Sequence, residues 1–246
     1  MLNRKNAGGM NDEQGFPVFF TEISDALGRY ENYQRAAQAI ATHFPPVEYP
    51  ALLDIGCGVG KMSMALFKQG YRVTGLDLSA EQLNIAQAIS PGPHYTERDM
   101  ANPPSGLFDI LVNVYTSFGY CNSEQEDLSL LPVWFQALRP GGVLIMELAD
   151  MDRARNRIDV QGKLTRINNG VTERLSMDWE KRLLKVEYSK EGRSWSCLTR
   201  LYEKETLQAA LLNAGFHEVG IYGDFDLRPK GADDNVVFVA RKGNAS

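Results

Sequence analysis

The chain predicts an α/β protein: a doubly wound, mostly parallel sheet that ends in an antiparallel strand pair and carries a small antiparallel β insert. Three observations predict it. Between Ala51 and Leu148, apolar runs of strand length alternate with helix-length stretches, the grammar of a parallel sheet covered on both faces. The segment Ala51-Leu-Leu-Asp-Ile-Gly-Cys-Gly-Val-Gly-Lys61 reads as a buried strand that breaks through three alternating glycines into a helix. After Asp150 the long-period pattern gives way to short alternating segments separated by hairpin signals.

Each element follows from its own residues. Residues 1–15 are polar and Asn/Gly-rich, the composition of a flexible tail. Ile23, Leu27, Tyr30, Ala37 and Ile40 recur at helical steps, so the spacing predicts helix from Phe19 to Phe44, stopped by His43-Phe-Pro-Pro46. The strand Ala51–Ile55 and a helix from Lys61 to about Gln69 come next. Arg72–Asp77 is the second strand, again ending in an acid. Ser79 caps a helix over Ala80–Ile89, with Gln82 three residues on. Pro91-Gly-Pro93 breaks the chain before the short strand His94–Glu97. Phe108–Val114 is the fourth strand and Glu124–Leu138 a helix that Arg139-Pro-Gly-Gly142 terminates. Val143–Leu148 is the fifth strand.

Segments 161–168, 171–179, 182–189 and 194–201 read as short strands, joined at Asn168-Asn-Gly170, Glu180-Lys181 and Glu191-Gly-Arg193. A helix over Lys204–Ala214 stops at Gly215, and two final strands, Phe216–Asp224 and Asn235–Ala240, form the antiparallel pair. The domain reading is therefore one α/β domain from 16–149 and 202–246, with 150–201 inserted.

Composition narrows the function classes. With 246 residues and 43% hydrophobic content the chain can bury a sizeable core. A net charge of −5 argues against a general nucleic-acid binder, which needs a basic face. The N-terminus shows no apolar signal region, and no run approaches a membrane span. Three scattered cysteines, Cys57, Cys121 and Cys197, make neither a disulfide framework nor a zinc site. No two of His43, His94 and His217 are spaced for a metal. These features predict a reduced, cytoplasmic protein without a metal.

In an open α/β sheet the ligand sits beyond the C-terminal strand ends. Asp54, Asp77, Asp99 and Asn113 all fall there. Asp77 suits ribose hydroxyls, whether of NAD or of another nucleoside. Two features then choose between ligands. Gly56, Gly58 and Gly60 give G-x-G-x-G with Lys61 where the dinucleotide fingerprint wants its third glycine. Asp54 before the turn is a poor neighbour for a pyrophosphate and a good one for an ammonium or sulfonium. By position, Tyr115, Phe118 and Tyr120 in the loop after the fourth strand are expected to line the site.

Asp54-Ile-Gly-Cys-Gly-Val-Gly60, Gly75-Leu-Asp-Leu-Ser79, Arg98-Asp-Met100 and Leu138-Arg-Pro-Gly-Gly142 resemble, in order, the successive motifs of the class I S-adenosylmethionine-dependent methyltransferases, a Rossmann-like family. Thr116-Ser-Phe-Gly-Tyr120 and the insert after the fifth strand resemble its small-molecule branch. The resemblance implies S-adenosyl-L-methionine as cofactor. Gly56, Gly58 and Gly60 would lie along its methionine part, and Asp54 would help hold its amino group. Asp77 would bind the ribose, with Leu78 against the adenine. Asp99 and Met100 would meet the adenine, and Asn113 would face the methyl group. Gln82 stands where many relatives carry Met. The N-terminal helix often covers the cofactor in this family, which makes Tyr30 and Tyr33 substrate-side candidates. Trp179, Trp195 and Arg200 are the insert's candidates.

The implied reaction is methyl transfer to an N, O or C atom of a small molecule, with no catalytic base named. No nucleic-acid or membrane partner is expected, and the oligomeric state stays open. A nicotinamide-dependent oxidoreductase and a cofactor-binding, non-catalytic subunit are the alternatives.

Overall fold

The computed structural model describes residues 22–24, 26–28, 32–104 and 108–244. The tail expected over 1–15 and the candidate Tyr30 lie outside these. In chain order the elements are α1 (Tyr33–His43), β1 (Ala51–Ile55), α2 (Lys61–Lys68), β2 (Arg72–Asp77), α3 (Ala80–Ile89), β3 (His94–Glu97), β4 (Phe108–Asn113), α4 (Glu124–Ala137) and β5 (Leu138–Leu148). There follow α5 (Met151–Arg157), β6 (Lys163–Asn168), β7 (Val171–Asp178), β8 (Leu183–Lys190), β9 (Arg193–Arg200), α6 (Lys204–Asn213), β10 (Glu218–Tyr222) and β11 (Val236–Arg241).

A seven-stranded sheet runs β10-β11-β5-β4-β1-β2-β3. β1 pairs in parallel with both β2 and β4. The chain therefore leaves β1 on one side through β2 and β3, and returns on the other through β4 and β5. That reversal puts the topological switch point at the C-terminal ends of β1 and β4, where a ligand crevice opens. β11 enters antiparallel beside β5 and β10 antiparallel beside β11. β4 is buried at every position, as expected of a strand covered on both faces. One face packs Trp134, Leu130, Leu207, Leu211 and Phe216 against the sheet. The other packs Ala37, Ile40, Phe44, Met62 and Leu66.

A second sheet, β6-β7-β8-β9, is an antiparallel meander. Its tight turns follow from their residues. Asn169 and Gly170 take φ 47° and 77°, and Glu191 and Gly192 take 51° and 75°, the paired left-handed conformations of two-residue hairpins. β7 alternates buried and wet positions along its length, so one face makes the insert's own core of Val171, Leu175, Met177, Val186 and Tyr188. Ile23 is fully buried in that same core, so Ile23, Ala26 and Leu27 belong to the insert's packing while α1 packs on α2.

Three expectations are corrected. The helix predicted over Phe19–Phe44 is not continuous: Gly28 takes φ 65° and α1 starts at Tyr33. The helix before Arg139-Pro-Gly-Gly142 ends at Ala137, and the fifth strand starts at Leu138 rather than Val143, with a register shift against β4 between Phe108 and Ile110. The insert opens with α5 rather than a strand. Asp150 caps this helix, accepting from Arg153 N at 2.9 Å, and only Met151 in it is buried, so no apolar period announces it.

Candidate active site

The glycine turn is folded onto the end of β2. Gly56 N and Cys57 N both donate to Leu76 O, at 2.8 and 3.0 Å, and Gly58 N donates to Asp77 Oδ2 at 2.9 Å. Ser79 N donates to Asp77 Oδ1 at 2.9 Å. The Asp77 carboxylate is thus oriented by one N–H from each side of its strand end. Gly60 takes φ 74°, and a Cβ there would lie 2.3 Å from Tyr95 Oη, so conformation and space both demand glycine. A Cβ on Gly56, at φ 74°, would meet Ser117 Cβ at 3.0 Å, which places the loop after β4 directly over the turn. Gly60 also stands at the N-cap of α2, and no side chain caps that helix.

Asp54 is 1% exposed, and Ser63 Oγ in α2 donates to its Oδ2 at 2.5 Å. Burial pushes its carboxyl up to about 7 from an ordinary 3.8, with Ser63 opposing and Asp77 adding to the rise. Burial also raises Asp77, against hydrogen bonds from the Ser79, Gly58 and Leu78 backbone. Burial, Asp54 and Asp77 together push the Cys57 thiol up, so Cys57 serves as the small residue of a tight turn and not as a nucleophile. Across the switch point, Asn113 Nδ2 donates to Ile55 O at 3.0 Å, while its Oδ1 is buried without a hydrogen-bond partner. A buried acceptor left open costs about 1–3 kcal/mol. Together Asp54, Asp77 and Asn113 form a group of acceptors around a backbone that tolerates no Cβ. That arrangement fits a ligand with an ammonium group and ribose hydroxyls, and it fits a pyrophosphate poorly.

Residues 52–142 match a known domain family, described as a methyltransferase domain. Residues 52–142 are thus a methyltransferase domain. S-adenosyl-L-methionine is the cofactor that goes with it. A malonyl-(acyl-carrier protein) O-methyltransferase of Enterobacter lignolyticus (strain SCF1) is 34% identical over 138 residues, 52% of this chain and 53% of that protein. A dTDP-3-amino-3,4,6-trideoxy-alpha-D-glucopyranose N,N-dimethyltransferase of Streptomyces venezuelae is 30% identical over 124 residues, 49% of this chain and 52% of that protein. The chain therefore spans about half the length of these curated relatives. A solved S-adenosylmethionine-dependent methyltransferase of Clostridium acetobutylicum ATCC 824 superposes with a TM-score of 0.74 at 18% identity, over 92% of this chain and 98% of that one, and so shares the fold.

Around the methyltransferase crevice the remaining candidates separate. Leu78, 51% exposed beside Asp77, is an apolar side chain left open to solvent. Asp99 Oδ1 accepts from Ala101 N at 2.8 Å, and Met100 O accepts from Trp134 Nε1 at 2.9 Å, so both sit on a pinned turn after β3. Tyr33 and Tyr115 are each half-buried and pack, like Tyr222 and Phe225, against the core on the α1 face of the sheet. Tyr120, Trp179 and Trp195 instead border the insert's core.

Two candidates prove to be structural. Phe118 is 1% exposed, with its ring 5.8 Å from Trp134 and 5.4 Å from Tyr202. Its loop position suggested the site, but its side chain turns into the core. Arg200 Nη1 donates to the fully buried Asp127 at 2.6 Å, and Asp127 also accepts from Tyr202 Oη and Cys121 N. Arg200 N donates to Gly119 O at 2.8 Å. The side chain fastens the insert to α4, and the backbone N–H fastens it to the loop after β4.

The sequence did not single out the group that shapes this loop. Tyr115 and Thr116 take φ 58° and 59°. Left-handed backbone costs a residue with a Cβ about 1–2 kcal/mol. Tyr115 N donates to Glu147 Oε2 at 2.8 Å, Thr116 N to Glu147 O at 3.1 Å, and Ala149 N to Thr116 Oγ1 at 2.9 Å. Asn235 Nδ2 donates to Glu147 Oε1, and Arg153 Nη1 donates to Asn235 Oδ1. Burial raises Glu147, opposed by Asn235, the Tyr115 N–H and Arg153. The available signal was an acid inside the apolar run Val143-Leu-Ile-Met-Glu-Leu148.

Proposed function

We propose that this chain is an enzyme that moves a methyl group from S-adenosyl-L-methionine to an N, O or C atom of a small molecule in the cytoplasm. The carrying observation is the pair of buried acceptors at the switch point, the Asp54 carboxylate and the open Asn113 Oδ1. An ammonium group is the ligand feature that would satisfy both. When bound, the cofactor supplies an electrophilic methyl group on a sulfonium. The backbone at Gly56, Gly58 and Gly60 lets its methionine part approach. The Asp77 carboxylate, oriented by Gly58 and Ser79, receives the ribose hydroxyls. Leu78 would cover the adenine, and Asp99 and Met100 would meet its edge.

On the acceptor side, Tyr33 and Tyr115 form the wall, and the 150–201 insert closes over it. Alignment of acceptor and methyl group accounts for most of the catalysis, since orientation alone can supply about 7–11 kcal/mol. An acceptor amine that arrives neutral requires no base. Support for a small acceptor comes from the two relatives, whose names give an acyl carrier-linked malonyl group and an amino sugar as their substrates. The acidic net charge supports the absence of a nucleic-acid partner. No described helix is long and apolar enough to cross a membrane. The three free cysteines agree with a reducing compartment.

The test is transfer of radiolabelled methyl from S-adenosylmethionine to a panel of amino sugars, phenols and carboxylic acids. Label in one acceptor class, with S-adenosylhomocysteine formed in equal amount, is the expected result. Tight cofactor binding with no transfer to any acceptor would identify a non-catalytic subunit instead.

A further inference from the structure

We propose that Glu147 is a positioning residue for methyl transfer: through a directed hydrogen-bond relay it fixes the left-handed Tyr115-Thr116 turn that walls the acceptor side. This rests on the function proposed above. The geometry is specific. Tyr115 and Thr116 are consecutive left-handed residues, neither of them glycine, separated from the end of β4 by Val114 alone. Such a pair persists only where the surroundings hold it. Here one residue holds both N–H groups: the Glu147 side chain takes Tyr115 N, and its main-chain oxygen takes Thr116 N. The Thr116 hydroxyl then accepts from Ala149, closing the loop onto the strand that carries Glu147.

The relay has a definite polarity. Tyr115 N–H points at one carboxylate oxygen and the Asn235 amide N–H at the other. The Asn235 oxygen is in turn consumed by Arg153. Every link runs donor to acceptor toward Glu147, from two sides. A carboxylate on this side chain satisfies all of them; an amide does not. In Glu147→Gln the new NH₂ faces either Tyr115 N–H or the Asn235 NH₂. Turning the Asn235 amide over moves the mismatch to Arg153. One donor–donor pair remains in every arrangement.

That polarity supplies its own control. In the double variant Glu147→Gln/Asn235→Asp, the introduced amide accepts from Tyr115 N–H and donates to the introduced carboxylate, which also accepts from Arg153. The number of hydrogen bonds and the net charge are both restored. The relay's hydrogen bonds hold Tyr115 and Thr116, whereas the residue of this loop that faces the glycine turn is Ser117, so its loss should weigh on the acceptor side and spare the cofactor half of the site.

The experiment compares wild type, Glu147→Gln and the double variant in the full chain. Three quantities are measured: calorimetric affinity for S-adenosylhomocysteine, amide hydrogen exchange at Tyr115 and Thr116, and methyl transfer to the acceptor found above. In Glu147→Gln, exchange at both amides should accelerate at least tenfold and kcat should fall at least tenfold. KM for S-adenosylmethionine and affinity for S-adenosylhomocysteine should stay within twofold. The double variant should recover both exchange protection and kcat. Unchanged exchange and kcat in Glu147→Gln overturn the proposal. So does a double variant that folds without recovering either. Parallel loss of cofactor affinity would assign Glu147 to folding alone. If Glu147→Gln does not fold, the double variant decides. If wild type transfers no methyl, the proposed function fails, and exchange alone still decides whether Glu147 fixes the turn.

Discussion

Asp54 offers the sharpest handle on how this domain trades stability for binding. Its carboxyl lies at about 7 in the folded chain against an ordinary 3.8, chiefly through burial. The folded state therefore holds this proton more tightly than the unfolded state. Below pH 4 both states are protonated and there is no penalty. Between pH 4 and 7 the penalty grows, and above pH 7 it is complete. At about 1.4 kcal/mol per pH unit, the gap amounts to roughly 4 kcal/mol against folding. A cationic amino group bound beside the carboxylate recovers part of that cost. Asp54→Asn removes the penalty and keeps an oxygen for Ser63. At pH 8 the variant should melt above wild type, by as much as ~10 °C for a chain of this size. At pH 4 the two should melt together. Its affinity for S-adenosylhomocysteine at pH 8 should fall at least tenfold. Melting curves by circular dichroism across pH and calorimetric titration read both effects. A constant difference in melting temperature at every pH would refute the reasoning, and so would undiminished affinity.

Other perturbations read other parts of the account. Asp77→Ala removes the charged acceptor proposed for the two ribose hydroxyls, each such hydrogen bond being worth about 1.5–3 kcal/mol, so S-adenosylhomocysteine affinity should fall ~10²-fold or more while the circular dichroism spectrum is kept. Gly60→Ala forces a Cβ to 2.3 Å from Tyr95 Oη at φ 74°. Backbone strain plus overpacking should cost roughly 2–5 kcal/mol in urea unfolding. Arg200→Met leaves the buried Asp127 without its cation and should destabilise by about 3–5 kcal/mol, yet S-adenosylhomocysteine affinity should not change. A loss of binding in Arg200→Met would return that residue to the site.

The cofactor half of the fold was legible because its signals are local. β2, α3 and β3 fall where their apolar runs, the Ser79 cap and the Pro91-Gly-Pro93 break place them. The glycine turn announced a ligand through residues that only that geometry requires. The acceptor half was less legible because its determinants are distant in sequence. Phe118 lies in the same loop as Tyr115, and nothing local says that one ring is fully buried beside Trp134 and Tyr202 while the other is half-buried on the opposite, α1 face of the sheet. Arg200 looked like a binding cation until Asp127, 73 residues away, proved to be its partner. Glu147 was passed over because an acid in an apolar strand signals a buried network only once Asn235 and Tyr115 are seen beside it. α5 escaped because a short, mostly wet helix has no hydrophobic period to detect.

The central claim is that the switch-point acceptors serve S-adenosylmethionine. Calorimetric titration of the full chain with S-adenosylmethionine and S-adenosylhomocysteine, with NADH as control, tests it most directly. The account predicts one-to-one binding of both adenosyl ligands, accompanied by a raised melting temperature, and no binding of NADH. Binding of NADH, or no response to either adenosyl ligand at millimolar concentration, would contradict it.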